Sequence, residues 1–217
     1  EEQTLRLRHE IHQCPELSFQ EFKTSQLVMR ELDRIGIPYE KSPQEPGIIA
    51  VIDSGRPGKF LMLRADMDAL PIQEKTGLPF GSQVPGVMHA CGHDMHAAVL
   101  FGVLQQLATE PDFRGTIFGL FQPGEECNPG GASLVLAEEP FADYDVRAVI
   151  GEHVEPSLEV GTFGFRAGKY MASSDELRFT VHGTGGHAAL RNQLRDPVAA
   201  AAELVGGLLA LNLPERV

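Results

Sequence analysis

The stretch GTIFGLFQPGEE, residues 115–126, decides the fold of this 217-residue chain. Its first eight residues are short-spaced, apolar and bounded by glycine and proline, as in a buried strand. Two adjacent acids follow at once. Working outward, residues 94–107 place apolar side chains at 95, 99, 100, 103, 104 and 107, which is helical spacing. Upstream, GIIAVID (47–53) and KFLMLRAD (59–66) read as strands separated by the turn sequence Ser-Gly-Arg-Pro-Gly. Downstream, a short helix is predicted over 131–138 and another buried strand at RAVIG (147–151). Residues 20–36 carry Phe22, Leu27, Val28, Leu32 and Ile35 as one apolar stripe ending at Gly36. The charged start EEQTLRLRHEIH reads as an amphipathic helix rather than a signal peptide. Strands alternating with helices imply an α/β fold, with a mostly parallel sheet and helices on both faces.

That topology gives positions to the reactive side chains. Asp66-Met67-Asp68 follows KFLMLRA, Glu125-Glu126 follows GTIFGLFQ, and Glu152-His153 follows RAVIG. All three sit at the carboxyl ends of predicted strands, where open α/β sheets form their ligand crevices. The stretch MHACGHDMH (88–96) adds a thiol, three imidazoles and a carboxylate. Cys91 and His93 fall in a loop entering a helix, where backbone N–H groups and the helix dipole favour a thiolate. Thiolate, imidazole and carboxylate together hold borderline-soft divalent metals. An acid beside such a set is the base that metal-assisted hydrolysis needs. A cysteine nucleophile at Cys91 with His93 as base is a poorer reading, because residues two apart around a glycine rarely hold the required pair.

The charge of −12, with 42% hydrophobic and 22% charged residues, is that of a soluble globular protein without a basic face. It argues against nucleic-acid and anionic-membrane partners. The apolar run at 198–213 is too short to span a bilayer and carries Glu203. Cys14, Cys91 and Cys127 are an odd count without disulfide spacing, so a reducing cytoplasm is expected. After Gly168 the pattern changes. Residues 171–175 resemble a hinge, ELRFTVHG (176–183) alternates like a half-exposed strand, and a long helix is predicted over 196–213. A boundary is expected near residue 170, giving a catalytic domain over 1–170 and an incomplete α+β unit over 171–217.

The order of HxxPELxxxExxTS (His12 to Ser25), RADMDALPI (64–72), GVMHACGHDMHA (86–97), FQPGEE (121–126) and GGHAA (185–189) resembles the aminoacylase-type dinuclear metallopeptidases, peptidase family M20. The match is to the amidohydrolase branch, which includes hippurate and N-acetyl-diaminopimelate hydrolases. The resemblance implies that Cys91 bridges two metal ions, that His93 and His153 complete one site, and that Glu126 binds the second ion. It implies Glu125 as general base, Asp68 as the group that orients a ligand, and His187 as a substrate-binding histidine of a lid and dimerisation domain. The implied reaction is hydrolysis of the amide bond of N-acyl amino acids by a metal-activated water. The implied cofactor is one or two divalent ions per subunit, whether zinc, manganese, nickel or cobalt. The implied assembly is a homodimer through the lid.

Two departures from the family pattern stand out. A further metal-ligating histidine follows the lid in that family, whereas these residues end inside the lid, so the chain is expected to be part of a longer protein. Alanine is usual at the position of Gly124, a difference expected to be without effect. Two other functions remain in play: a dipeptidase with the same centre, and a non-catalytic metal-binding or dimerisation fragment. His96 is expected to support a ligand or the fold, and His9, His12 and His89 to be structural.

Overall fold

The computed structural model describes residues 2–109, 112–171, 176–187 and 189–211. Two helices, α1 (Glu2–Gln13) and α2 (Phe22–Ile35), precede the sheet. α2 stops at Gly36, whose left-handed φ of 72° lets the chain turn back, with the Gly36 and Ile37 amides donating to Asp33 and Leu32. Then come β1 (Tyr39–Lys41), β2 (Ile48–Asp53), β3 (Lys59–Asp66), α3 (His93–Thr109), β4 (Gly115–Gln122), α4 (Gly131–Ala137) and β5 (Val146–Gly151). α5 (Pro197–Leu209) follows much later.

The α/β architecture read from the sequence is the one formed. Its sheet is mixed, in the order β1-β2-β4-β3-β5. β1, β2 and β4 run antiparallel to their neighbours in one half, and β3 pairs parallel with both β4 and β5 in the other. β5 lies beside β3 with Ile150 opposite Leu63 and Gly151 opposite Arg64. β1 is a polar three-residue strand that carries no apolar period, so it left no signal in the sequence.

β4 explains why its sequence is apolar throughout. Ile117 and Phe121 face a layer formed by α1, α2 and α3, where Leu7, Leu32 and Phe101 are fully buried. Phe118 and Leu120 face the other way, against Met62 and Val135 of α4. A strand covered on both faces cannot alternate with polar residues. Each large side chain buried in these layers stabilises the fold by about 1.5–3 kcal/mol.

The chain divides into two compact units, Glu1–Pro156 and Ser157–Val217, where the sequence reading drew its boundary near residue 170. In the second unit α5 is capped by Asp196, whose carboxylate accepts from the Val198 and Ala199 amides at 2.9 and 3.4 Å. The strand expected over 176–183 is not formed among the described residues, and the pairing there is one bridge between Thr184 and Arg195. Alternation fixes which side chains would share a face, but a strand needs a partner backbone to take its N–H and C=O groups. Residues 172–175 of the expected hinge lie outside the described residues. Among the described residues no helix is long and apolar enough to cross a membrane.

Candidate metal centre

β4, β3 and β5 are parallel neighbours, so the loops leaving their carboxyl ends emerge along one edge. The loop before α3 meets them there. Gly92 makes that approach possible: its φ is +90°, and a Cβ on it would lie 2.5 Å from Val154 Cγ2. Cys91 and the segment after β5 therefore come together, with Cys91 Sγ 3.3 Å from His153 Nε2. The other ring nitrogen of His153 donates to the Val154 carbonyl at 2.8 Å, which turns Nε2 toward the thiol.

His93, the first residue of α3, is buried and held from behind. Its Nδ1 donates to Asp68 Oδ1 at 3.1 Å. Its Nε2 is buried and has no hydrogen-bond partner. That nitrogen lies 3.8 Å from Glu126 Oε1, 3.9 Å from Glu125 Oε2 and 3.7 Å from Asp66 Oδ1. The ligand-capable atoms of Cys91, His93 and His153 fall within 4.8 Å of one another, as do those of His93, Glu125 and Glu126. Asp66, His93 and His96 form a third such group. His96, however, has both nitrogens engaged: Nδ1 donates to Asp66 at 2.6 Å, and Nε2 accepts from the Val154 amide at 3.0 Å. Its ring fixes the loop that carries His153.

The electrostatics of the cluster call for a cation. Burial, together with the charges of Glu126 and Glu125, pushes the Cys91 thiol up to about 12. Burial and the nearby Asp66 also raise the Glu125 carboxyl. Asp66 stays ionised: burial opposes its charge, but the His96 hydrogen bond and the Arg64 guanidinium hold it down to about 2. A divalent ion reverses this logic, because it replaces the thiol proton and neutralises the carboxylates. The donor set also fits such an ion chemically, with one thiol, two imidazoles whose second nitrogens are each fixed, and two acids.

The sequence profile of peptidase family M20/M25/M40 matches residues 62–214. The chain belongs to this family. N-acetylcysteine deacetylase of Bacillus subtilis (strain 168) is 43% identical over 206 residues, which is 94% of this chain and 53% of that relative. N-acetyldiaminopimelate deacetylase of Listeria monocytogenes serotype 4a (strain HCC23) is 38% identical over 92% of this chain and 54% of its own length. Among solved structures, the YXEP protein of Bacillus subtilis, described as a dinuclear metal binding peptidase of the M20 family, matches with a TM-score of 0.72 and 41% identity. That match covers 76% of this chain and 46% of the other. A structure from methicillin resistant Staphylococcus aureus gives a TM-score of 0.83 at 34% identity, over 99% of this chain and 58% of that one. The chain spans about half the length of the curated relatives it matches.

Of the residues singled out from the sequence of this M20 chain, Cys91, His93, Glu125, Glu126 and His153 share one site in the first unit. His187 belongs to the second unit, where its exposed ring accepts from the Ala189 amide. Gly124 has a structural reason of its own. Its φ is +60°, and a Cβ there would lie 2.4 Å from the Phe19 ring, so alanine cannot enter without strain and a shift of that ring. Ser18 and Glu21 were missed. Glu21 is the acid of the motif HxxPELxxxExxTS but was given no role, and both residues touch the site's loops from a segment 50 to 103 residues away in sequence, contacts that the motif does not show.

Proposed function

We propose that the chain is the metal-binding part of an M20 amidohydrolase that cleaves the amide bond of N-acyl amino acids. The observation that carries this reading is His93 Nε2, buried, unpartnered and surrounded by Glu125, Glu126 and Asp66 while Asp68 locks the opposite side of the ring. Cys91, His93 and His153 would hold one divalent ion, with Cys91 shared and Glu126 completing a second position. When bound, the metal supplies Lewis acidity, lowering the pKa of a bound water toward about 7. Glu125 is 42% exposed, has no ion pair with Lys or Arg among the described residues, and has its carboxyl raised by burial and by Asp66, which suits a general base that takes a proton and returns it to the leaving amine. The relatives named as deacetylases support an acyl amino acid as substrate. Mixed sulfur, nitrogen and oxygen donors suit zinc, nickel, cobalt or manganese.

The unit over 157–217 is read as the beginning of a lid and dimerisation domain, with His187 assigned to substrate binding. Val198, Val205 and Leu209 of α5 are 74%, 54% and 83% exposed, an apolar helix suited to a homodimer contact. Three free cysteines support a reducing cytoplasm.

The test is Glu125→Gln in the metal-loaded protein. Hydrolysis of N-acetyl amino acids is expected to fall by about 10²–10⁴ with metal affinity retained. Unchanged turnover with the metal still bound would remove the base assignment. Relative kcat/KM across N-acetyl, N-benzoyl and dipeptide substrates separates an amidohydrolase from a dipeptidase.

A further inference from the structure

We propose that the segment of residues 16–21, between α1 and α2, is a brace that aims the Glu125-Glu126 turn, with Glu21 as its principal positioning residue. The proposal rests on the metal-centre reading above and adds to it residues that touch neither metal nor substrate.

The turn leaving β4 is pinned at two amides. The Gly124 N–H donates to Glu21 Oε1 at 2.7 Å, and the Glu126 N–H donates to Asp68 Oδ2 at 2.8 Å. Glu125 is the residue between them. Both pins lead back to the same segment, because Ser18 Oγ donates to that Asp68 oxygen at 2.7 Å. Asp68 in turn holds His93 through its other oxygen. Phe19 closes the arrangement from below: its ring occupies the space a Gly124 side chain would fill, and its own φ is +61°. A non-glycine residue in that region is uncommon and is held there only by its surroundings.

The segment is itself anchored at Glu16. The Glu16 carboxylate accepts from the Lys23 and Thr24 amides at 2.9 Å each, and the Glu16 carbonyl accepts from Ala69 just beyond β3. The brace thus joins the start of α2 to the exits of β3 and β4.

Glu21 is an expensive residue to place here. It has no exposed surface, and its Oε2 has no hydrogen-bond partner. Other buried acids of this unit face cations: Glu31 meets Arg6, Arg30 and Arg34, and Asp94 meets Arg8 and His12. Glu21 has no ion pair among the described residues, and burial pushes its carboxyl up to about 7. Burying such a group without a counter-charge costs stability, and the largest of the hydrogen bonds that offset it is the one from the Gly124 amide.

The test is a titration with Co²⁺, read by the thiolate-to-cobalt charge-transfer band that Cys91 would give, beside kcat on an N-acetyl amino acid. Glu21→Ala is expected to weaken cobalt binding and lower kcat by about 10–100-fold. The thiolate band itself keeps its wild-type form, since Cys91 and His153 lie off the brace. Glu21→Gln retains an oxygen acceptor for Gly124 and is expected to restore both quantities to within about threefold of wild type. Should the alanine variant not fold, Ser18→Ala carries the test, with an expected loss of about 3–10-fold through Asp68. A wild-type band with Glu21→Ala or Ser18→Ala unchanged overturns the brace alone, as does a glutamine variant as impaired as the alanine one. Absence of the band from the wild type overturns the metal reading and the brace with it.

Discussion

The two walls of the metal centre are held in different ways. On the β3–β4 side, Asp66, Asp68 and His93 are at most 2% exposed, and every ring or carboxylate is fixed by at least one buried partner. On the β5 side, His153 is exposed, and its ring is held by the carbonyl of the next residue and by the half-buried Cys91 thiol. The strand beneath it is open too, with Val149 and Ile150 61% and 53% exposed. On the first wall His93, the imidazole that would bind metal, and the two aspartates behind it are also part of the core, so ligation by that ring and stability are one property. On the second they are separable.

Asp68→Ala makes the hardest attack on that contrast. It strips His93, Ser18 and the Glu126 amide of their shared partner, and unfolding stability is expected to fall by about 3–5 kcal/mol. A urea titration that finds a loss below about 1 kcal/mol would erase the distinction between the walls.

Glu21 sharpens it through pH. An acid raised from 4.5 to about 7 in the folded state binds more protons folded than unfolded across that window, so stability drops as pH rises through it. Glutamine has no such proton to lose. Glu21→Gln is therefore expected to be more stable than wild type by up to about 3 kcal/mol at pH 8, with the gain gone at pH 4. Equal Tm differences at the two pH values would contradict the buried, unpaired placement.

Behind the same wall, His12 has the opposite sign. Its hydrogen bond to Asp94, with the charges of Asp94 and Glu74, raises its pKa against the cost of burial. The stability it confers is complete below about 6.5 and is lost as pH rises through the higher folded value. His12→Gln is expected to cost about 1.5–3 kcal/mol at pH 6 and less at pH 9, flattening the alkaline fall in Tm. An unaltered slope would remove His12 from the account.

The smallest stability change belongs to the open wall. His153→Ala is expected to stay within about 0.5 kcal/mol of wild type while abolishing tight cobalt binding. A large loss of stability would show that this wall, too, is part of the core.

Much of this arrangement was legible in the chain. GTIFGLFQ, KFLMLRAD and RAVIG are apolar runs that could be placed as strands, and their acidic or histidine-bearing exits then had to share an edge. The convergence of Cys91, His93 and His153 follows from that topology. What stayed hidden depends on partners distant in sequence. β1 exists only because β2 offers it an edge, and residues 176–183 show that an alternating pattern without such an edge forms no strand. Ser18 and Glu21 bond across 50 and 103 residues, a relation that side-chain type and spacing do not encode.

The parallel seating of β5 against β3 also puts a clock into the molecule. Cys91 and His153 are 62 positions apart and become neighbours only after that seating is complete. Sliding β5 by one residue would reverse the direction of every side chain along it. Cobalt colour in a refolding experiment should therefore trail the recovery of helix signal, reporting the arrival of the last and most distant strand.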